Sequence, residues 1–171
     1  MELITISPHP TQRGTYRLSA EQWLPRPLDE VFEFFADAYR LQDLTPPFLN
    51  FQVLTPRPVD MFAGTTIDYR LKLHGIPIRW RSEITEWQPP LRFVDRQLKG
   101  PYRLWNHLHT FEMKDGGTLV RDIVDYAVPG GALIHWLMVR RDLMRIFEYR
   151  HGQLASYFGA GDPPSATASA K

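Results

Sequence analysis

The chain has 171 residues, enough for one domain with a sizeable core. Its apolar share of 43% and aromatic share of 13% mark it as globular rather than disordered, and 20 basic against 19 acidic residues leave a net charge of +1. That balance gives no electrostatic case for nucleic acid or an anionic membrane, and the absence of cysteine excludes disulfides, thiolate catalysis and zinc–thiolate sites. No stretch is apolar enough to span a bilayer, and the first residues lack a basic segment followed by an apolar one. A cytoplasmic protein without stable membrane insertion is therefore expected.

Residues 1–14 carry Pro8 and Pro10 and read as an irregular lead-in. Thr15 to Leu24 alternates as a strand does, with Tyr16, Leu18 and Ala20 on one face. Leu28 to Ala38 places Val31, Phe34, Phe35 and Ala38 at helical spacing, with Asp29 and Glu30 at its start. Tyr39 to Leu44 suggests a second short helix, and Phe48 to Leu54 a short strand. Thr65 to Leu73, Ile78 to Trp87 and Leu91 to Leu98 alternate as three further strands, with His74-Gly75 as a tight turn.

The pattern Trp105-x-His107-x-His109-x-Phe111 follows, and after it Asp115-Gly116 and a run from Thr118 to Tyr126. Asp-Gly between alternating runs signals a hairpin. A two-residue turn sets Trp105 opposite Tyr126, His107 opposite Val124, His109 opposite Asp122 and Phe111 opposite Val120. Two imidazoles and a carboxylate then share an otherwise apolar face. Such groups need partners or water, which points to a pocket. Ala132 to Phe158 is the longest periodic segment, with Leu133, Leu137, Met144, Phe147, Leu154 and Phe158 near one stripe and Arg141, Arg145, Glu148 and Arg150 around it. Residues 159–171 are Gly, Pro, Ala, Ser and Thr and read as a mobile tail.

The order is α+β: one strand, one or two short helices, about six strands in an antiparallel sheet, and one long helix. It resembles the START-like, or SRPBCC, helix-grip superfamily over residues 15–158. The narrower likeness to bacterial ligand-binding SRPBCC domains rests on several segments. They are Gly100-Pro101-Tyr102, the Trp-x-His-x-His-x-Phe strand, Gly117-Thr118, Asp122-x-Val124-x-Tyr126 with Pro129, His135-Trp136, Arg140-Arg141-Asp142-Leu143 and Phe147-x-Tyr149-Arg150. The resemblance implies a curved sheet of six to seven strands gripping the helix, with a cavity between them for a lipid- or polyketide-like molecule. Some members are aromatase/cyclases and many only bind or carry. The glycine-rich loop of the plant allergen branch is not evident, since residues 56–64 hold one glycine.

The leading expectation is binding or carriage of a small hydrophobic ligand, with no cofactor and no metal. The candidate lining is Tyr69, Trp80, Phe93, Trp105, His107, His109, Phe111, Asp122, Val124, Tyr126, Leu137 and Met144. The alternative is a cofactor-free cyclase, aromatase or dehydratase using His107, His109 and Asp122 as acid/base groups. A third is a closed-cavity structural or interaction module. The plainer account of the polar cluster is a His109–Asp122 pair that fixes register. The aromatic set is core as readily as cavity wall. His-x-His on a strand is also a metal-binding spacing, with Asp122 the only third ligand the hairpin supplies. Arg79, Arg81, Arg92, Arg96, Lys99 and Arg103 read as a solvated outer face, because Glu83, Glu86 and Asp95 interleave. The exposed part of the long helix could support a homodimer.

Overall fold

The structure, a computed structural model, describes residues 3–159. Its strands are β1 (Leu3–Pro8), β2 (Tyr16–Leu24), β3 (Gln52–Val53), β4 (Thr66–Leu73), β5 (Ile76–Gln88), β6 (Arg92–Lys99), β7 (Leu104–Lys114) and β8 (Gly117–Ala127). They form one sheet in the order β1-β2-β8-β7-β6-β5-β4-β3, with every neighbouring pair antiparallel. Helices α1 (Leu28–Ala36) and α2 (Arg40–Asp43) follow β2. A helical run of α3 (Gly131–Ile134), a π turn (His135–Val139) and α4 (Arg140–Phe158) follows β8. This is the helix-grip architecture, with more strands than expected. The supposed lead-in is β1, which pairs along its length with β2 from Leu3↔Glu21 to Pro8↔Tyr16. The strand expected over 48–54 is a 3-10 turn (Pro47–Leu49) and the two residues of β3. Most of the tail lies outside the described residues. No helix among the described residues is long and apolar enough to cross a membrane.

Turn chemistry sets the register. Asp115 (φ 51°) and Gly116 (φ 79°) are both left-handed, as a two-residue turn matched to strand twist requires. Lys114 therefore pairs with Gly117, His107 with Val124 and His109 with Asp122. His74 (φ 50°) and Gly75 (φ 81°) close the β4–β5 hairpin in the same way. Two register shifts in the β5–β6 ladder, at Arg81/Ser82 and Ile84/Glu86, bend the sheet.

Both main helices cover the inner face. α1 buries Val31, Phe32, Phe34 and Phe35. Phe32 and Phe35 meet Phe111 of β7 edge-on, at 5.2 and 5.1 Å between ring centroids. At the start of α4, Leu143 and Phe147 pack with Leu18, Ala20, Val124 and Tyr126. At its end, Leu154 and Phe158 join Leu24 and the α1 aromatics. The inward stripe of α4 is Leu143, Phe147, Arg150, Leu154 and Phe158, all buried.

Leu133 and Leu137, expected on that stripe, are 66% and 54% exposed. The π turn adds a residue to one turn and shifts the inward face by one position, so His135 is buried instead.

Gly117 sits where a side chain would strike the Leu24 carbonyl and the Trp23 indole, whose Cζ2 would lie 2.6 Å from an added Cβ. Gly117→Ala is expected to cost about 1–3 kcal/mol, read by urea denaturation. An unchanged midpoint would show that β2 and β8 can separate at this end without cost.

Candidate functional site

Three neighbouring strands and α4 bring five polar side chains to one place. Asp95 lies opposite His107 across β6–β7, and Phe93 opposite His109. His109 in turn lies opposite Asp122 across β7–β8. Each of these positions is two residues from the next on its strand, so all point to the inner face. Arg150 reaches down from α4, three residues beyond Phe147 on the same helical stripe.

The contacts form a ladder of carboxylate, imidazoles, carboxylate and guanidinium. His109 Nε2 lies 2.9 Å from Asp95 Oδ2, and His107 Nε2 lies 2.9 Å from Asp122 Oδ1. His109 Nδ1 is 2.8 Å from Asp122 Oδ1, but the approach is too poorly aligned for a hydrogen bond and is an electrostatic contact. His107 Nδ1 stands 3.6 Å from Asp95 Oδ2, and Arg150 donates from Nη2 to Asp122 Oδ1 at 3.4 Å. The imidazole centroids are 3.7 Å apart. Phe93 stacks on His109 at 4.2 Å, while Phe35 and Phe147 flank the Arg150 guanidinium at 5.1 and 5.8 Å.

Burial and charge oppose each other across this ladder. Burial pushes the Asp122 carboxyl up, but the Arg150 charge and the two histidines outweigh it and hold it well below the usual carboxylate range. Asp95 follows the same balance: burial raises it, and the bond from His109 with the charges of His107, His109 and Arg150 brings it below its ordinary value. Burial lowers His107, helped by the charge of His109. Burial also disfavours the charged form of His109, yet its two carboxylate neighbours raise it above the ordinary imidazole value.

Above the ladder is a cavity of about 190 Å³, bounded by the sheet, α1, α2 and α4 and partly open to solvent. Apolar wall comes from residues including Phe51, Ile67, Leu71, Trp80, Tyr102 and Trp105. Trp80, Tyr102 and Trp105 pack mutually, with centroids 4.7–5.6 Å apart. The wall is also polar in places: Asp95, His107, His109 and Arg150 border it as one cluster, and Asp37, Arg40, Thr45 and Ser82 border it elsewhere. Nearby, His74 Nε2 meets Asp142 Oδ2 at 2.7 Å and ties the β4–β5 turn to α4.

Six of the twelve sequence-predicted lining residues border the cavity: Tyr69, Trp80, Phe93, Trp105, His107 and His109. The other six do not. Phe111 is covered by α1, and Val124 and Tyr126 are covered by α4, so all three are packed core. Asp122 is buried behind the histidines. Leu137 faces outward within the π turn, and Met144 is displaced from the inner face by its neighbour Leu143. Two members of the site were missed. Asp95 is not part of the outer charged face, since it follows Phe93 by two residues and shares its inner face. Arg150 is not a solvated helix charge, since it occupies an apolar-stripe position. The true outer face pairs its charges, as in Arg81–Asp68 at 2.8 Å and Arg96–Glu83 at 2.9 Å.

Residues 24–145 match the family described as polyketide cyclase / dehydrase and lipid transport. No curated protein matches the chain significantly. Among solved structures, a Mycobacterium smegmatis protein shares 17% identity and a TM-score of 0.65, over 91% of this chain and 97% of that one. A Streptomyces aromatase/cyclase shares 15% identity and a TM-score of 0.66, over 84% and 93%. A major latex-like protein from Panax ginseng shares 11% identity and a TM-score of 0.63, over 85% and 98%. At these identities the likeness is one of fold.

Asp122→Ala would leave the buried Arg150 without its carboxylate and both imidazoles without their anchor. A loss of about 3–5 kcal/mol is expected, measured by denaturant unfolding at neutral pH. A loss under about 1 kcal/mol would mean that Arg150 and the histidines re-pair with Asp95 alone.

Proposed function

Because the chain belongs to the polyketide cyclase/dehydrase and lipid transport family, we propose that it binds a small, largely apolar molecule in the cavity between sheet and long helix, with the ligand's polar end against His107 and His109. The observation that carries this reading is a largely apolar cavity wall in which Asp95, His107, His109 and Arg150 stand together as one polar cluster. Ligand sites are commonly built this way: apolar surface supplies the driving force, and a few convergent polar groups fix orientation. Several aromatic rings favour a flat, unsaturated ligand, with Tyr69, Trp80, Phe93 and Trp105 as its apolar contacts. Burial pushes the Tyr69 and Tyr102 hydroxyls up, so both stay neutral beside it. A hydroxyl or carbonyl at the polar cluster would meet His107 Nδ1, which the 3.6 Å gap to Asp95 leaves without a hydrogen bond.

A cyclase- or dehydratase-type activity is the second reading. It is favoured by two imidazoles at a cavity wall with a carboxylate behind them, the arrangement that general acid/base work requires. Under the first reading these groups orient; under the second they also move a proton.

Two measurements test the binding reading. Ala38 lines the cavity, so Ala38→Phe should abolish uptake of naphthalene while the far-ultraviolet circular dichroism is kept. Uptake that survives the block would move the ligand site elsewhere. His107→Ala should weaken 2-naphthol binding about 5–10-fold, the size of one lost hydrogen bond, and leave naphthalene binding unchanged. Equal weakening of both probes, or of neither, would remove His107 from ligand recognition.

A further inference from the structure

We propose that Asp95, His107 and His109 form a binding site for one divalent transition-metal ion of the zinc or ferrous class, open to the cavity. One ligand atom from each residue lies within 4.8 Å of the others. Asp95 Oδ2 is 2.9 Å from His109 Nε2 and 3.6 Å from His107 Nδ1. Bonds of about 2.0–2.2 Å in tetrahedral arrangement separate ligand atoms by about 3.4 Å, so only small side-chain movements would close the shell. Two imidazoles and one carboxylate are the donor set of metal sites that keep positions free for substrate.

The surroundings support this assignment independently of spacing. Asp122 stands behind both imidazoles, with Oδ1 at 2.9 Å from His107 Nε2 and 2.8 Å from His109 Nδ1. Each ring thus turns one nitrogen toward Asp122 and the other toward Asp95. A carboxylate bonded to the far nitrogen of an imidazole, as Asp122 is to His107, is the usual second layer of a histidine-bound metal, fixing tautomer and ring orientation. Arg150 in turn braces Asp122. The side facing the cavity is the ligand side: Asp95, His107 and His109 line it and Asp122 does not. The 3.6 Å gap from His107 Nδ1 to Asp95 is too long for a hydrogen bond, and a bridging ion would satisfy both atoms. The site departs from the sequence expectation of no metal, and from the weighed option in which Asp122 was the third ligand.

Cobalt(II) serves as the probe on the chelator-treated full chain. One equivalent should bind and give visible d–d absorption, and one equivalent of zinc(II) should displace it. Asp95→Ala and His109→Ala should lose the band, while His74→Ala, at an exposed histidine, should keep it. In the unsubstituted protein, diamagnetic zinc(II) should shift the ring signals of His107 and His109 most and leave those of His9, His74 and His135 in place, a readout that needs no variant to fold. No stoichiometric cobalt binding, retention of the band in folded Asp95→Ala, or zinc-induced shifts centred on His9, His74 or His135 would each overturn the assignment. Binding of naphthalene to the metal-free protein is indifferent to this outcome, so the metal site and the apolar ligand site stand or fall separately.

Discussion

The Asp122 carboxylate is the constraint on which the rest of this structure depends. It is buried in the middle of the sheet, touches both histidines of β7 and receives Arg150 from α4. A buried carboxylate is tolerated only when charge and hydrogen bonds replace the water it has lost. Asp122 therefore dictates what must surround it: imidazoles from the adjacent strand and a cation from the covering helix. The helix is thus positioned by a charge contact at its middle as well as by apolar contacts at Leu143, Phe147, Leu154 and Phe158.

That contact also explains why register is so tightly specified. A slip of one residue in β7 against β8 would send His107, His109 and Phe111 to the outer face and bring Leu108 and Thr110 inward. The Asp115-Gly116 turn prevents the slip locally, and the polar ladder opposes it at a distance. Two independent devices, one conformational and one electrostatic, select the same alignment, as a well-specified fold requires.

Much of the architecture was legible in the sequence because alternation and turn chemistry are local signals. The β7–β8 partners follow from one dipeptide, and the strands from β4 to β8 follow from period-two patterns bounded by Gly and Pro. What was hidden depends on non-local packing. Leu3 to Pro8 has alternating apolar residues, but its two prolines nearby obscured a strand whose stability comes from pairing with β2. Leu137 was misplaced because a π turn has no clear signature in residue spacing. Phe111, Val124 and Tyr126 were read as cavity wall because they share a face with the histidines. Which part of a sheet face is wall and which is core is decided by where α1 and α4 lie. Asp95 and Arg150 were missed because charges in alternating or amphipathic segments were assigned to solvent by type rather than by position.

The energetics of the ladder bear on why it exists. Well-packed apolar residues of similar volume commonly hold a core as firmly as a buried ion network, and often more firmly. Stability alone therefore gives no reason for two carboxylates, two imidazoles and a guanidinium at this depth. Their distinguishing consequence is positional. They sit where β6, β7 and β8 meet the underside of α4, and four of the five reach the cavity surface. An apolar replacement would leave this stretch of the cavity wall without fixed charge. Asp122, though it does not border the cavity, sets what that wall presents, because it bonds His107, lies against His109 and receives Arg150. The buried charges of the sheet are thus arranged by one residue that stands behind the surface they form.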